Sequence, residues 1–359
     1  MQRVVGLDAI RFICALVVAL FHFHYAVGAS LSPLIGSTLG EGLDTVLANS
    51  FNGPAAVAVF FVLSGFVIHL PQARGRKLDV AQFAARRGLR IVPPILAFML
   101  LSALLGTVPP HFDWMRTILW SVICELGFYA VYPLLVRTRI RMHWIAVGSL
   151  VIAALVTVVG YHAIVDGDLE YFVFGWWTPV VGLPIWLLGA VLAEHYTDLP
   201  VLSTRALRGV RAAVVVSSVI LLMVKFHGGQ FVGPLASNLF LLTLYSIPLA
   251  AWIGLEAVYH SAATTHSRTL TALDRAGAAS YSLYLVHSLV LTTVGVSTLT
   301  GGLTDLVLYA CGTAAATVAF YLAVERPSVR LAHRTGRALA ERHAARQAPD
   351  AEPEPEPTA

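Results

Sequence analysis

The chain has 359 residues, of which 57% are hydrophobic and only 12% charged, with a formal net charge of +4. Soluble domains carry about 25% charged residues, and the apolar residues here gather in runs long enough to cross a bilayer, roughly 17–25 residues each, so a string of ordinary soluble domains is excluded. No basic stripe interleaved with aromatics appears, which argues against nucleic acid as a partner, and Cys14, Cys124 and Cys311 lie singly in apolar runs, so neither a disulfide framework nor a metal site is expected.

Apolar runs fall near residues 8–28, 55–71, 91–109, 116–136, 144–165, 173–193, 212–226, 237–259, 279–299 and 303–324. They predict an all-α, polytopic membrane protein of about ten transmembrane helices. With the N-terminus in the cytoplasm, 22 of the 24 Lys and Arg residues fall on the inner side; only Arg116 and Lys225 fall outside. The outer segments carry Glu41, Asp44, Asp113, Asp166, Asp168 and Glu170 instead. This bias places both termini in the cytoplasm and the chain in the cell membrane.

The first run holds Arg11 and His22. Eleven residues of helix bring the second back to within about 20° of the first and about 16 Å further along the axis. A guanidinium fork suits phosphate, and an imidazole suits general base catalysis. Singly, Arg11 reads as a snorkelling anchor and His22 as a hydrogen-bonded core residue. Residues 1–29 have a basic start and the small-residue end Val27-Gly28-Ala29, but Asp8 and Arg11 within the apolar stretch favour an uncleaved span over a signal peptide.

After the second run, which includes Ser64, the loop brings Arg86, Arg87 and Arg90 to the cytoplasmic mouth. They serve either topology or the docking of phosphates. Glu125 lies within the fourth run, with Tyr129 one turn on. A carboxylate at that depth needs a cation, a proton or hydrogen-bond donors, and both an ion pair and a site role stay open. Tyr171, Phe172, Phe174, Trp176 and Trp177 cluster at the outer end of the sixth run, which fits an interfacial aromatic belt that anchors the chain in lipid, with sugar stacking as the alternative. His287, near Tyr284 and Ser280, sits about two turns inside the ninth. Glu325 and Arg326 close the tenth as a helix-end charge pair, and Pro327 is expected to stop that helix. The chain thus divides into a membrane domain (1–327), a basic segment (328–348) able to lie on anionic lipid, and a Pro/Glu-rich tail (349–359) expected to be disordered.

These motifs together resemble acyltransferase family 3, integral membrane enzymes that acylate sugars, exported glycans and some antibiotics. The likeness is carried by Arg11 and His22; by the stretch 60–68 with Ser64 and Gly65; by Arg87, Arg90 and Pro93; by Trp120, Ser121, Glu125, Phe128, Tyr129 and Pro133; by the stretch 280–287; and by Glu325-Arg326-Pro327. It runs from about Gly6 to Pro327. One departure is Glu125-Leu126-Gly127 where the family often has Glu-Glu-Gln, so a second acid is missing there. Some members also carry an esterase domain; only 34 residues follow Glu325 here.

The resemblance implies an O-acyltransferase with no resident cofactor. It would take an acyl group, most often acetyl, from acyl-CoA as co-substrate to a hydroxyl of an exported glycan or a secreted metabolite. His22, Glu125 and Arg11 are then the catalytic candidates. Arg87, Arg90, Ser64, Tyr129, Tyr284, His287, Glu325 and Arg326 are the candidates for binding substrate or CoA. Glu125 would orient a histidine or balance a charge, its partner being His22, His287 or Arg11. Tyr129 and Tyr284 would donate to the oxyanion. A transporter using the same buried Arg, Glu and His residues as a path is the alternative from another class.

Overall fold

Lipid offers the backbone no hydrogen-bond partners, so a chain this apolar satisfies its peptide groups within helices. The computed structural model describes residues 4–23, 26–107, 117–161, 170–228, 231, 233–293 and 302–347, and among them there is no strand. The helices are α1 Leu7–Phe21, α2 Val27–Ile35, α3 Ser37–Ser50, α4 Gly53–Ala73, α5 Val80–Leu104, α6 Leu119–Arg137 and α7 Met142–Tyr161. They continue with α8 Thr178–His195, α9 Thr204–His227, α10 Asn238–Ala262, α11 Arg268–Ala276, α12 Ser280–Thr293, α13 Leu303–Phe320 and α14 Arg326–Gln347. Several starts carry their own caps: the side chains of Asn52, Asp79, Ser203 and Ser267 accept from the backbone N–H three residues on.

Eight helices among the described residues are long and apolar enough to cross a membrane. They account for eight of the ten runs marked by sequence. The other two, α1 and α12, have 15 and 14 described residues. Burial sorts the bundle into centre and rim. In α4 the apolar window is 83% buried, against 11% in α9, so α4 is the hub and α9 presents Val215, Val216 and Ile220 outward. Helix α8 lies closest to α4. Gly65 meets the Trp186 carbonyl and Gly189 the Val62 carbonyl, contacts that leave no room for a Cβ.

Two expectations are corrected. The first run does not continue as helix to residue 28: α1 ends at Phe21, with His22 as its C-terminal cap. The acidic segment that follows is a helical hairpin, α2 packed on α3 through Gly28 and Gly40, with Asp44 accepting from the Gly28 and Ala29 N–H groups at 2.7 and 3.0 Å. Pro327 does not stop the last helix. A π-helical turn, Tyr321–Glu325, joins α13 to α14, and Pro327 is the second residue of α14. The turn before it absorbs the change in hydrogen bonding that a mid-helix proline would otherwise break. Helix α14 packs against α5, where Gln82 Nε2 donates to the Gly336 carbonyl at 2.8 Å. Asp113, Arg116, Asp166, Asp168 and the tail 349–359 lie outside the described residues.

Candidate active site

At the centre, α4, α6 and α8 bring Ser64, Glu125, Tyr129 and Trp186 together. The Trp186 indole can only donate, and it does so to Ser64 Oγ at 3.2 Å. Ser64 keeps its own proton for Glu125 Oε1, 2.7 Å away. The Tyr129 hydroxyl donates to the same carboxylate oxygen. Glu125 is therefore held by two hydroxyls; none of His22, His287 and Arg11 makes a hydrogen bond or ion pair with it. The cation beside this group is Arg87, whose guanidinium carbon stands 5.7 Å over the Tyr129 ring.

The neighbouring hydroxyl, that of Tyr284, donates to the Ile118 carbonyl at 2.9 Å, and Ser121 Oγ lies 2.7 Å from it. With their protons committed to Glu125 and to a backbone carbonyl, Tyr129 and Tyr284 offer no free donor for an oxyanion in this arrangement. Ser64 is 2% exposed. It braces Glu125 and does not line the crevice beside it.

His22 Nδ1 is 2.8 Å from the Val18 carbonyl. A carbonyl only accepts, so Nδ1 carries the proton and Nε2 keeps its lone pair. The His22 ring centroid lies 5.2 Å from that of His287, which is 5.9 Å from Tyr284. His287 is fully buried, with Nδ1 3.3 Å from the Leu283 carbonyl and Nε2 without a partner among the described residues. Glu325 is 1% exposed and accepts from the Ser282 N–H at 3.0 Å and from its hydroxyl. It is bound to α12 and forms no ion pair with Arg326.

Three neighbouring crevices are lined by these groups. The central one, about 750 Å³, is lined by Arg11, Arg87, Arg90, Glu125, Tyr129 and Tyr284 among others. A second, about 1190 Å³, opens at the arginine-rich end and shares Arg11 and Arg90 with it. The third, about 1060 Å³, holds His22 and shares Val57 and Tyr284 with the central one. Arg11 and His22 thus line neighbouring crevices, not a common one. The crevice of His22 carries hydroxyls and an indole, including Thr107, Thr117, Ser288 and Trp120, and no charged side chain among the described residues except what His22 can acquire.

Sequence reasoning did not find Trp186 or Ser282 as supports. Trp186 sits in an apolar run with no polar neighbour in sequence. Ser282 lies within the 280–287 motif, but its carboxylate partner is 43 residues away.

Residues 4–325 match the acyltransferase domain family. Acyltransferase MdmB of Streptomyces mycarofaciens is 29% identical over 282 residues, a match that covers 67% of this chain and 68% of that protein. No solved structure matches the chain.

Proposed function

Since the chain belongs to the acyltransferase family matched across residues 4–325, and is a multi-pass membrane acyltransferase, we propose that its donor is acyl-CoA, most simply acetyl-CoA, and its acceptor a hydroxyl of an exported glycan or a secreted small molecule. The observation that carries this reading is the chain of crevices. Guanidiniums line two of the crevices, His22 stands in the third, and Tyr284 and Val57 line both that one and the central crevice. A long donor with an anionic head and a reactive tip fits that arrangement.

In this reading the CoA phosphates dock beside Arg11, Arg90 and Arg326, and pantetheine runs inward past Arg87 toward Tyr284. The acceptor hydroxyl enters the compartment of His22. His22 Nε2 takes the hydroxyl proton as the oxygen attacks the thioester carbonyl. The tetrahedral intermediate collapses with loss of the CoA thiolate, and the imidazolium returns the proton to that sulfur. Atoms and charge balance without a cofactor. Glu125 holds Tyr129 and offsets the charge of Arg87, keeping the guanidinium in the central crevice, where it stabilises developing negative charge. The neutral, hydroxyl-bearing lining beside His22 suits an uncharged acceptor such as a sugar.

Membranes containing the protein, given labelled acetyl-CoA, are expected to transfer label to a glycan or metabolite fraction. His22→Ala should lower turnover about 10²- to 10⁴-fold while the protein still inserts. Wild-type turnover in that variant removes His22 from the chemistry.

A further inference from the structure

The crevice at the arginine-rich end is bordered by α1 and α5 and by the first turns of α14. Arg326, Arg330 and His333 stand at i, i+4 and i+7, one stripe of α14. Arg90 borders the same space from α5. Arg90, Arg326 and Arg330 make no hydrogen bond or ion pair among the described residues. The crevice also holds two carboxylates, and both are engaged elsewhere: Asp8 lies 3.4 Å from Arg11, and Glu325 accepts from Ser282. Four guanidiniums, of Arg11, Arg90, Arg326 and Arg330, against two carboxylates, of Asp8 and Glu325, therefore border one opening, which leaves it an excess of positive charge. Burial, and then the charges of Arg86, Arg90, Arg337 and Arg87, hold the His333 imidazole below its usual range.

Helix α14 is not a loose tail. Gln82 bonds Gly336, and Gly336 packs against the Arg86 side chain. Yet residues 326 onward lie beyond the family match, which ends at 325. We infer that α14 completes a phosphate-recognition site, in which Arg330 and His333 act with Arg326 and Arg90 to take the nucleotide phosphates of the acyl donor. The inference rests on the acyl-CoA reading above. It follows from continuity: Arg11 and Arg90 line both this crevice and the central one, so a phosphate held here leaves its attached arm facing inward. Guanidinium forks bind phosphate oxygens in pairs, and imidazole N–H adds a further donor.

The test is equilibrium binding of tritiated CoA to the purified full-length protein in phosphatidylcholine nanodiscs, with unlabelled pantetheine, which lacks every phosphate, as competitor. Arg330→Ala/His333→Ala is expected to weaken CoA binding about tenfold to a hundredfold and to leave competition by pantetheine unchanged. Arg330→Gln is expected to do so in part and serves if the double variant fails to insert. Equal CoA affinity in variant and wild type overturns the site, and so does an equal loss for pantetheine. A difference seen only when phosphatidylglycerol is added assigns the cations to lipid headgroups and overturns it too. Wild-type protein that binds no CoA removes the acyl-CoA reading and this inference with it. Binding that the variants do not change removes this inference alone.

Discussion

At the scale of single residues, the central group is organised around one carboxylate oxygen. Glu125 receives Ser64 and Tyr129, and Trp186 orients Ser64. Removing Ser64 deletes one of those bonds and strands the indole N–H, a loss of about 1–3 kcal/mol. Removing the Glu125 charge does more, because it leaves Arg87 in a low-dielectric crevice without its nearest counter-charge. Glu125→Gln is expected to lower kcat on the order of a hundredfold and to lower the melting temperature more than Ser64→Ala does, while Ser64→Ala lowers kcat by only about tenfold. Acetyl-transfer kinetics on the two variants check the order. A Ser64→Ala loss as deep as that of Glu125→Gln would mean that the serine hydroxyl touches the reacting atoms. His22 stood out in the sequence as a candidate by its residue type and spacing. Its tautomer was not, because that depends on the Val18 carbonyl at the end of α1.

At the scale of elements, α4 and α8 approach through Gly65 and Gly189, whose missing side chains admit the carbonyls of Trp186 and Val62. Gly88 on α5 meets nothing within 4 Å of where a Cβ would stand. Gly65→Ala is therefore expected to destabilise the protein by about 1–3 kcal/mol, read as a lower melting temperature in detergent. Gly88→Ala is expected to leave it unchanged or slightly higher, since alanine is the better helix former. Equal melting of both variants would show that the α4–α8 contact is not tight. The apolar helices were readable in sequence because lipid demands long apolar runs. The α2–α3 hairpin was not: its residues are mixed, and its start is capped by Asp44 from the partner helix, a contact 15 and 16 residues away. Pro327 misled for a similar reason, since a π-helical turn just before it relieves the clash that ordinarily ends a helix.

At the scale of the whole molecule, we propose ten crossings with both termini inside. The support is the basic bias of alternate connecting segments, together with eight long apolar helices and the shorter α1 and α12. Glu41 and Glu341 are both exposed, on α3 and α14. A membrane-impermeant thiol reagent on intact cells is expected to label Glu41→Cys and not Glu341→Cys. The reverse pattern would invert the protein and move the arginine-rich crevice away from cytoplasmic CoA.

The amino-acid sequence by itself determined the membrane class, the helical fold and the family, and it marked the candidate site residues, because hydropathy, charge bias and short polar motifs are local properties of a chain. Only the tertiary structure decided which groups meet. Glu125 took hydroxyl partners instead of a histidine, Arg11 and His22 came to line neighbouring crevices, and the segment after Pro327 became a wall of the arginine-lined crevice. Each of these depends on contacts between helices far apart in sequence, which packing specifies and local pattern does not.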